Sequence, residues 1–181
     1  TGDGAGEILT GPGPGAVYGP QVKAFDGSGV AVPGVNFFAY GTLRYGVNVA
    51  AGDVDQGSRD AIITTPGPGP VFGPHVRGFQ KITGGVSSLK NLSFFAYQTL
   101  AYGARAATGQ IDADARHEIL TAPGPGSSFG PQIRGFDYDG SVSAIAKVNF
   151  WAYSQVTAGA KLDSAPFDGD GRFPGIPAPV P

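Results

Sequence analysis

Apolar positions along the chain come in short β-type runs, each cut off by a turn rich in glycine or proline. Ile8-Leu9-Thr10 is followed by Gly11-Pro12-Gly13-Pro14-Gly15, Gln21-Val22-Lys23-Ala24-Phe25 is introduced by Gly19-Pro20, and Phe37-Phe38-Ala39-Tyr40 ends before Gly41. Neighbouring side chains on a strand point to opposite faces, so Phe37 and Phe38 predict a strand with bulky residues on both sides. A sheet covered on both faces accounts for that pattern.

The pattern repeats. The first run returns as Ala61-Ile62-Ile63-Thr64-Thr65-Pro66-Gly67-Pro68-Gly69 and as Glu118-Ile119-Leu120-Thr121-Ala122-Pro123-Gly124-Pro125-Gly126. Gly19-Pro20-Gln21-Val22-Lys23-Ala24-Phe25 is matched by Gly73-Pro74-His75-Val76-Arg77-Gly78-Phe79 and Gly130-Pro131-Gln132-Ile133-Arg134-Gly135-Phe136. The aromatic run returns as Phe94-Phe95-Ala96-Tyr97 and Phe150-Trp151-Ala152-Tyr153. A fourth segment, Tyr45-Gly46-Val47-Asn48-Val49-Ala50, is matched by Tyr102-Gly103-Ala104-Arg105-Ala106-Ala107 and more loosely by Ala158-Gly159-Ala160-Lys161-Leu162-Asp163. Four short strands in a repeat of this length are the content of one β-propeller blade. A β-sandwich of seven or eight strands is the alternative, but it gives no reason for an internal repeat.

This reading makes the chain all-β, a β-propeller of three four-stranded blades. The outer strands of the first blade lie at 7–41, the second blade at 45–98 and the third at 102–154. A closing inner strand follows at 157–162, the repeats extend over 1–176, and 177–181 form a tail. Propellers have about four to eight blades, so three predict association. Two chains joined head to tail would make a six-bladed ring, strand 157–162 of each completing the first blade of the other, with a twofold axis closing the ring. The competing expectation is a different partner chain that supplies the missing blades.

Composition supports strands and turns. The 181 residues include 31 glycines and 16 prolines, about twice the average combined share of roughly 12%. Helices do not survive breakers so closely spaced. Collagen is excluded by the lack of a strict three-residue glycine register, and disorder by 41% apolar residues at a net charge of −2. Twelve Lys and Arg against 14 Asp and Glu give no basic surface for nucleic acid. The absence of cysteine removes disulfides, thiolate metal sites and cysteine nucleophiles. No apolar stretch is long enough to span a bilayer. A chain that starts at Thr1 and holds no methionine points to a removed leader or a fragment.

Acidic loops separate the innermost strand from the next. The second reads Asp53-Val54-Asp55-Gln56-Gly57-Ser58-Arg59-Asp60-Ala61, and the third Gln110-Ile111-Asp112-Ala113-Asp114-Ala115-Arg116-His117-Glu118. The first survives only from its third position, as Thr1-Gly2-Asp3-Gly4-Ala5-Gly6-Glu7, and a fourth, Pro166 to Pro174, holds Asp168 and Asp170. Oxygen donors at alternate positions of a curled loop converge on one point, which suits Ca²⁺ with its six to eight hard oxygen ligands.

These motifs, in this order three times, resemble the FG-GAP or VCBS repeats of bacterial surface proteins, which are related to the propeller of integrin α-subunits. Those repeats read D-x-D-G-D-G-x-D-[DE]-[IL], a glycine-proline run, G-P-H-V-[KR]-x-F and a phenylalanine-alanine-tyrosine strand. The resemblance covers about residues 1–176. It implies a propeller with loop-bound calcium, located outside the cytoplasm as a secreted, periplasmic or cell-surface protein, and acting in adhesion, sugar binding or assembly. Every loop departs from the pattern. Gly57 and Ala61 stand where acids are expected in the second, Gln110 in the third and Pro174 in the fourth. Asp112, Asp114 and Glu118 are the best candidate ligands, Asp53 and Asp55 the next. In a swapped dimer, Asp168 and Asp170 of one chain would join Asp3 and Glu7 of the other in a composite loop. The alternative is that the aspartates only cap turn amides.

Other features carry less chemistry. Proline lacks the N–H that a phosphate cradle requires, so the Gly-Pro runs are turns. Lys23, Arg77 and Arg134 recur at one position and are expected to stack on aromatics or pair with loop acids; a ring of cations for an anionic sugar is the alternative. His75 replaces a glutamine, which suits a hydrogen-bonding surface role, and His117 has no counterpart, which argues against a transition-metal site. Trp151 occupies an aromatic core position, with sugar stacking as the alternative, and Asn91-Leu92-Ser93 is a formal glycosylation sequon. No nucleophile elbow or triad is present. The expected function is a noncatalytic, extracellular, calcium-binding interaction or scaffold module. A glycan-binding lectin is second, and an enzyme with a site at the propeller mouth third.

Overall fold

The computed structural model describes residues 6–41, 44–57, 59–98, 101–112, 114–127, 129–154 and 158–165. β1 (Ile8–Thr10), β2 (Gln21–Phe25) and β3 (Ala31–Phe38) form a first sheet. β4 (Val47–Gly52), β5 (Ala61–Pro66), β6 (His75–Ile82) and β7 (Gly85–Phe95) form a second, and β8 (Ala104–Gly109), β9 (Glu118–Pro123), β10 (Gln132–Tyr138) and β11 (Val142–Trp151) a third. Each sheet is antiparallel and pairs strands in chain order. The described residues form no helix, and so none that is long and apolar enough to cross a membrane.

Two cores lie between consecutive sheets. Ile62 and Phe79 of the second sheet pack with Val22, Ala24, Val32 and Val35 of the first. Ile63, next to Ile62, and Val76, three residues before Phe79, turn the other way, into a core with Ile119, Phe136 and Tyr138 of the third. The period of two therefore serves both faces of one sheet. All six residues of β5 are buried as a result. Phe37 meets Phe79 at 4.8 Å between ring centroids, and Phe94 meets Phe136 at 4.6 Å.

The outer strands run longer than their aromatic ends suggest. The β6–β7 ladder shifts register between Arg77 and Phe79, and the ladders of the other sheets shift at the matching place. At this bulge Leu92 fills the space beside Gly78, where a Cβ would lie 2.7 Å from Leu92 Cδ1, while the first sheet carries the small Ala24 at the matching place. The expected core position of Trp151 is not observed: it is 58% exposed, like Phe38 and Phe95 at the equivalent sites. Arg77 and Arg134 lie over Phe79 and Phe136, each 5.0 Å from the ring centre, and each donates to a backbone oxygen of the preceding sheet, Ala39 or Ala96.

The second and third sheets are entered the same way. Tyr102 and Gly103 adopt left-handed φ of 68° and 58° and donate their amides to Gly69 O and Phe72 O of the second sheet's Gly-Pro turn. A Cβ on Gly103 would collide with Pro66 O. The proline-rich run offers carbonyls with few competing N–H groups, so it accepts the incoming chain.

The closing strand expected at 157–162 is not paired: residues 158–165 belong to no sheet, and residue 157 is outside the described residues. A strand needs a ladder partner for its backbone groups, and none of the described strands pairs with this segment. It nevertheless follows the path of β4 and β8. Ala158 and Gly159 have φ of 83° and 61°, and their amides reach Gly126 O and Phe129 O.

Candidate metal centre

The third acidic loop connects β8 to β9 and is wound on its own side chains. Gln110 Oε1 accepts from Asp112 N at 3.2 Å, Asp112 Oδ1 from Asp114 N at 3.1 Å and Asp114 Oδ1 from Arg116 N at 2.6 Å. Gln110 also donates to Asp114 O. Each short side chain caps an amide two residues on, which curls the loop. Carboxylate oxygens of Asp112, Asp114 and Glu118 thereby lie within 4.8 Å of one another.

Glu118 differs from the two aspartates in being fully buried. As the first residue of β9, paired with Gly109, it is held under the loop. Glu118 Oε2 accepts from Ile111 N at 2.6 Å, while Oε1 is buried with no partner. Burial pushes its acid form up to about 7, partly offset by the Ile111 amide and reinforced by the negative charges of Asp112 and Asp114. A buried, half-bonded carboxylate beside two others is costly without a compensating cation.

The residues present fit a hard divalent cation. Three carboxylates from alternate positions would hold it, and the Arg116 carbonyl belongs to the same alternating set. The Asp112 and Asp114 oxygens that cap amides each leave a second carboxylate oxygen for the ion. Ca²⁺ accepts such oxygen-only, irregular shells.

The second loop brings two acids together. Asp53 Oδ1 and Asp55 Oδ1 both accept from Gly57 N, at 2.9 and 3.0 Å. A Cβ on Gly57 would sit 2.7 Å from Asp55 Oδ1, so the glycine suits a turn closed by amides. Ala61, in the position of Glu118, is buried and apolar. Glu7 stands just before β1, partly exposed. Asp3, Asp168 and Asp170 lie outside the described residues, and with them the composite loop.

Several polar residues emerge only in three dimensions. Tyr40 Oη lies 2.9 Å from Thr64 O and 2.7 Å from His75 O, and Tyr97 Oη lies 2.8 Å from both Thr121 O and Gln132 O. Burial raises both phenols well above their ordinary range. Asn48 Nδ2 and Arg105 Nη1 donate to Ala104 O on β8 and to Ala160 O in the segment after β11, each 2.7 Å away. The recurrence of these types in the repeat was a signal, but the partner atoms were not legible from it. His75 Nε2 lies 2.8 Å from Ser93 Oγ, its ring stacked on Phe95. β4, β8 and residues 161–164 line open grooves of about 420 and 360 Å³, the larger walled mainly by small residues such as Ala50, Ala106 and Ala107, the smaller by Asn48, Arg105 and Lys161 among others.

No family model, curated protein or solved structure matches the chain, and its functional reading rests on this loop and on the repeated sheets.

Proposed function

We propose that the three sheets are consecutive blades of an FG-GAP-type β-propeller, and that the chain is a noncatalytic, calcium-stabilised interaction or scaffold module working outside the cytoplasm. The observation that carries the ion reading is Glu118 Oε1, buried and unpartnered beside Asp112 and Asp114. The alternation of faces, the repeated entry turns and the row of inner strands support the propeller. Two of the three carboxylates are exposed and the set is small, so affinity falls in the weak class of about 0.1–1 mM that serves extracellular modules. That range matches a protein exposed to millimolar calcium.

Calorimetric titration of chelator-treated protein is the test. Saturable heat is expected, and at about ten times Kd the folded state gains about 1.4 kcal/mol, a rise in Tm of about 3–6 °C for a chain of this size. Neither heat nor stabilisation at about 10 mM calcium sinks the ion reading.

A second reading is glycan binding. It is favoured by the row of Phe38, Phe95 and Trp151, 54%, 56% and 58% exposed at one position of each sheet. Aromatic faces of this kind stack on sugar rings. Saturable signals on a glycan array, lost in Trp151→Ala, would support it, and a blank array would remove it.

A further inference from the structure

The two junctions between sheets are built from one set of contacts. At the first, Tyr40 sits on the Thr64 and His75 carbonyls, Phe37 on Phe79, and Arg77 donates back to Ala39 O. At the second, Tyr97 sits on the Thr121 and Gln132 carbonyls, Phe94 on Phe136, and Arg134 donates back to Ala96 O. Each junction has an outgoing half, Phe-x-Ala-Tyr, and an incoming half made of threonine, a Gln or His, a cation and phenylalanine.

The third sheet carries an outgoing half on which none of the described residues is seated. Phe150 and Tyr153 are 50% and 65% exposed, whereas Tyr97 is 7% exposed. The first sheet carries an incoming half, Thr10, Gln21, Lys23 and Phe25. Among the described residues β1 pairs with β2 alone, which leaves its other edge open, and Ile8 is 55% exposed. The matching strand exists at the other end of the chain. Residues 158–164 repeat the contacts that β8 makes to the sheet before it. Ala158 N reaches Gly126 O as Tyr102 N reaches Gly69 O, Arg105 reaches Ala160 O as Asn48 reaches Ala104 O, and Ser164 Oγ reaches Thr108 O as Thr108 Oγ1 reaches Ala51 O.

We propose that a second copy of this chain seats its first sheet on the third sheet of the first, its β1 pairing antiparallel with residues 160–164 in the register of the second sheet. There Asn48 faces Thr65, Val49 faces Thr64, Ala50 faces Ile63 and Ala51 faces Ile62, so Lys161 faces Gly11, Leu162 faces Thr10, Asp163 faces Leu9 and Ser164 faces Ile8. Tyr153 of one copy takes the Thr10 and Gln21 carbonyls of the other, and Lys23 donates to Ala152 O. The occupant is a second copy because the contact continues a junction already made twice, and this chain carries both halves. Two such contacts about a twofold axis close the pair. The inference rests on the reading of the sheets as blades and is independent of calcium.

The chain has no cysteine, so an introduced pair reports the register alone. Light scattering of the unmodified protein at about 50 µM should give twice 18.3 kDa, a concentration suited to contacts of micromolar strength. Leu162→Cys with Thr10→Cys should form a covalent dimer under mild oxidation. Leu162→Cys with Leu9→Cys, one residue out of register and facing the opposite side, should give at least tenfold less. Tyr153→Phe, which removes only a hydroxyl, should weaken the dimer about tenfold. A monomer, equal cross-linking of both pairs, indifference to Tyr153→Phe or an open ladder of higher oligomers overturns the proposal. Calcium binding by a monomer would overturn it and leave the ion reading intact.

Discussion

Glu118 has one oxygen on the Ile111 amide and the other on nothing, and the consequence is a defined pH response. Its folded acid form is held up to about 7, above the ordinary 4.3 or so of an unfolded glutamate. The folded chain therefore binds this proton more tightly than the unfolded one. The stabilisation is complete below about pH 4.3 and is lost as pH rises through about 7. In chelator, the Tm difference between the protein and Glu118→Gln should follow that course. The variant should become the more stable of the two above about pH 7 and show no response to calcium. A difference independent of pH would mean that Glu118 is not the titrating group. The alternating acids made this loop legible in the sequence, because side chains two apart on a curled loop converge. The burial of Glu118 was not legible, since it depends on β9 passing beneath the loop.

The elements were legible to the extent that turns punctuate them. The Gly-Pro runs and the aromatic ends mark all three sheets, but β7 and β11 extend well before their aromatic residues. A bulge breaks the period of two at the Arg77–Phe79 and Arg134–Gly135 positions, and a pattern with its phase shifted midway reads as a turn. The exposure of Trp151 was missed for a related reason: composition cannot say which face of an outer strand its neighbour covers. The entry turn gives the sharpest prediction at this scale. Gly103→Ala puts a Cβ into left-handed backbone and against Pro66 O, and should cost about 2 kcal/mol or more in denaturant unfolding. Gly13→Ala, with nothing near its Cβ, should change stability by less than about 0.5 kcal/mol.

At the level of the whole molecule, the stack has two unlike ends, and the proposed pairing makes stability depend on concentration. Raising the protein from about 1 to 100 µM should raise Tm by several degrees if the folded dimer is the stable species. Scans that superimpose across that range would argue for an independent three-sheet unit. The junctions also bear on how such a molecule is put together. Across each junction the Gly-Pro turn of one sheet accepts and the incoming Tyr-Gly or Ala-Gly pair donates, and the same polarity recurs each time. A repeat of this kind fits before or after any other, like links in a chain that all face one way. No residue within a link counts the links, so in the proposed ring their number is set by the angle between neighbouring sheets, where Phe37 packs on Phe79 and Phe94 on Phe136.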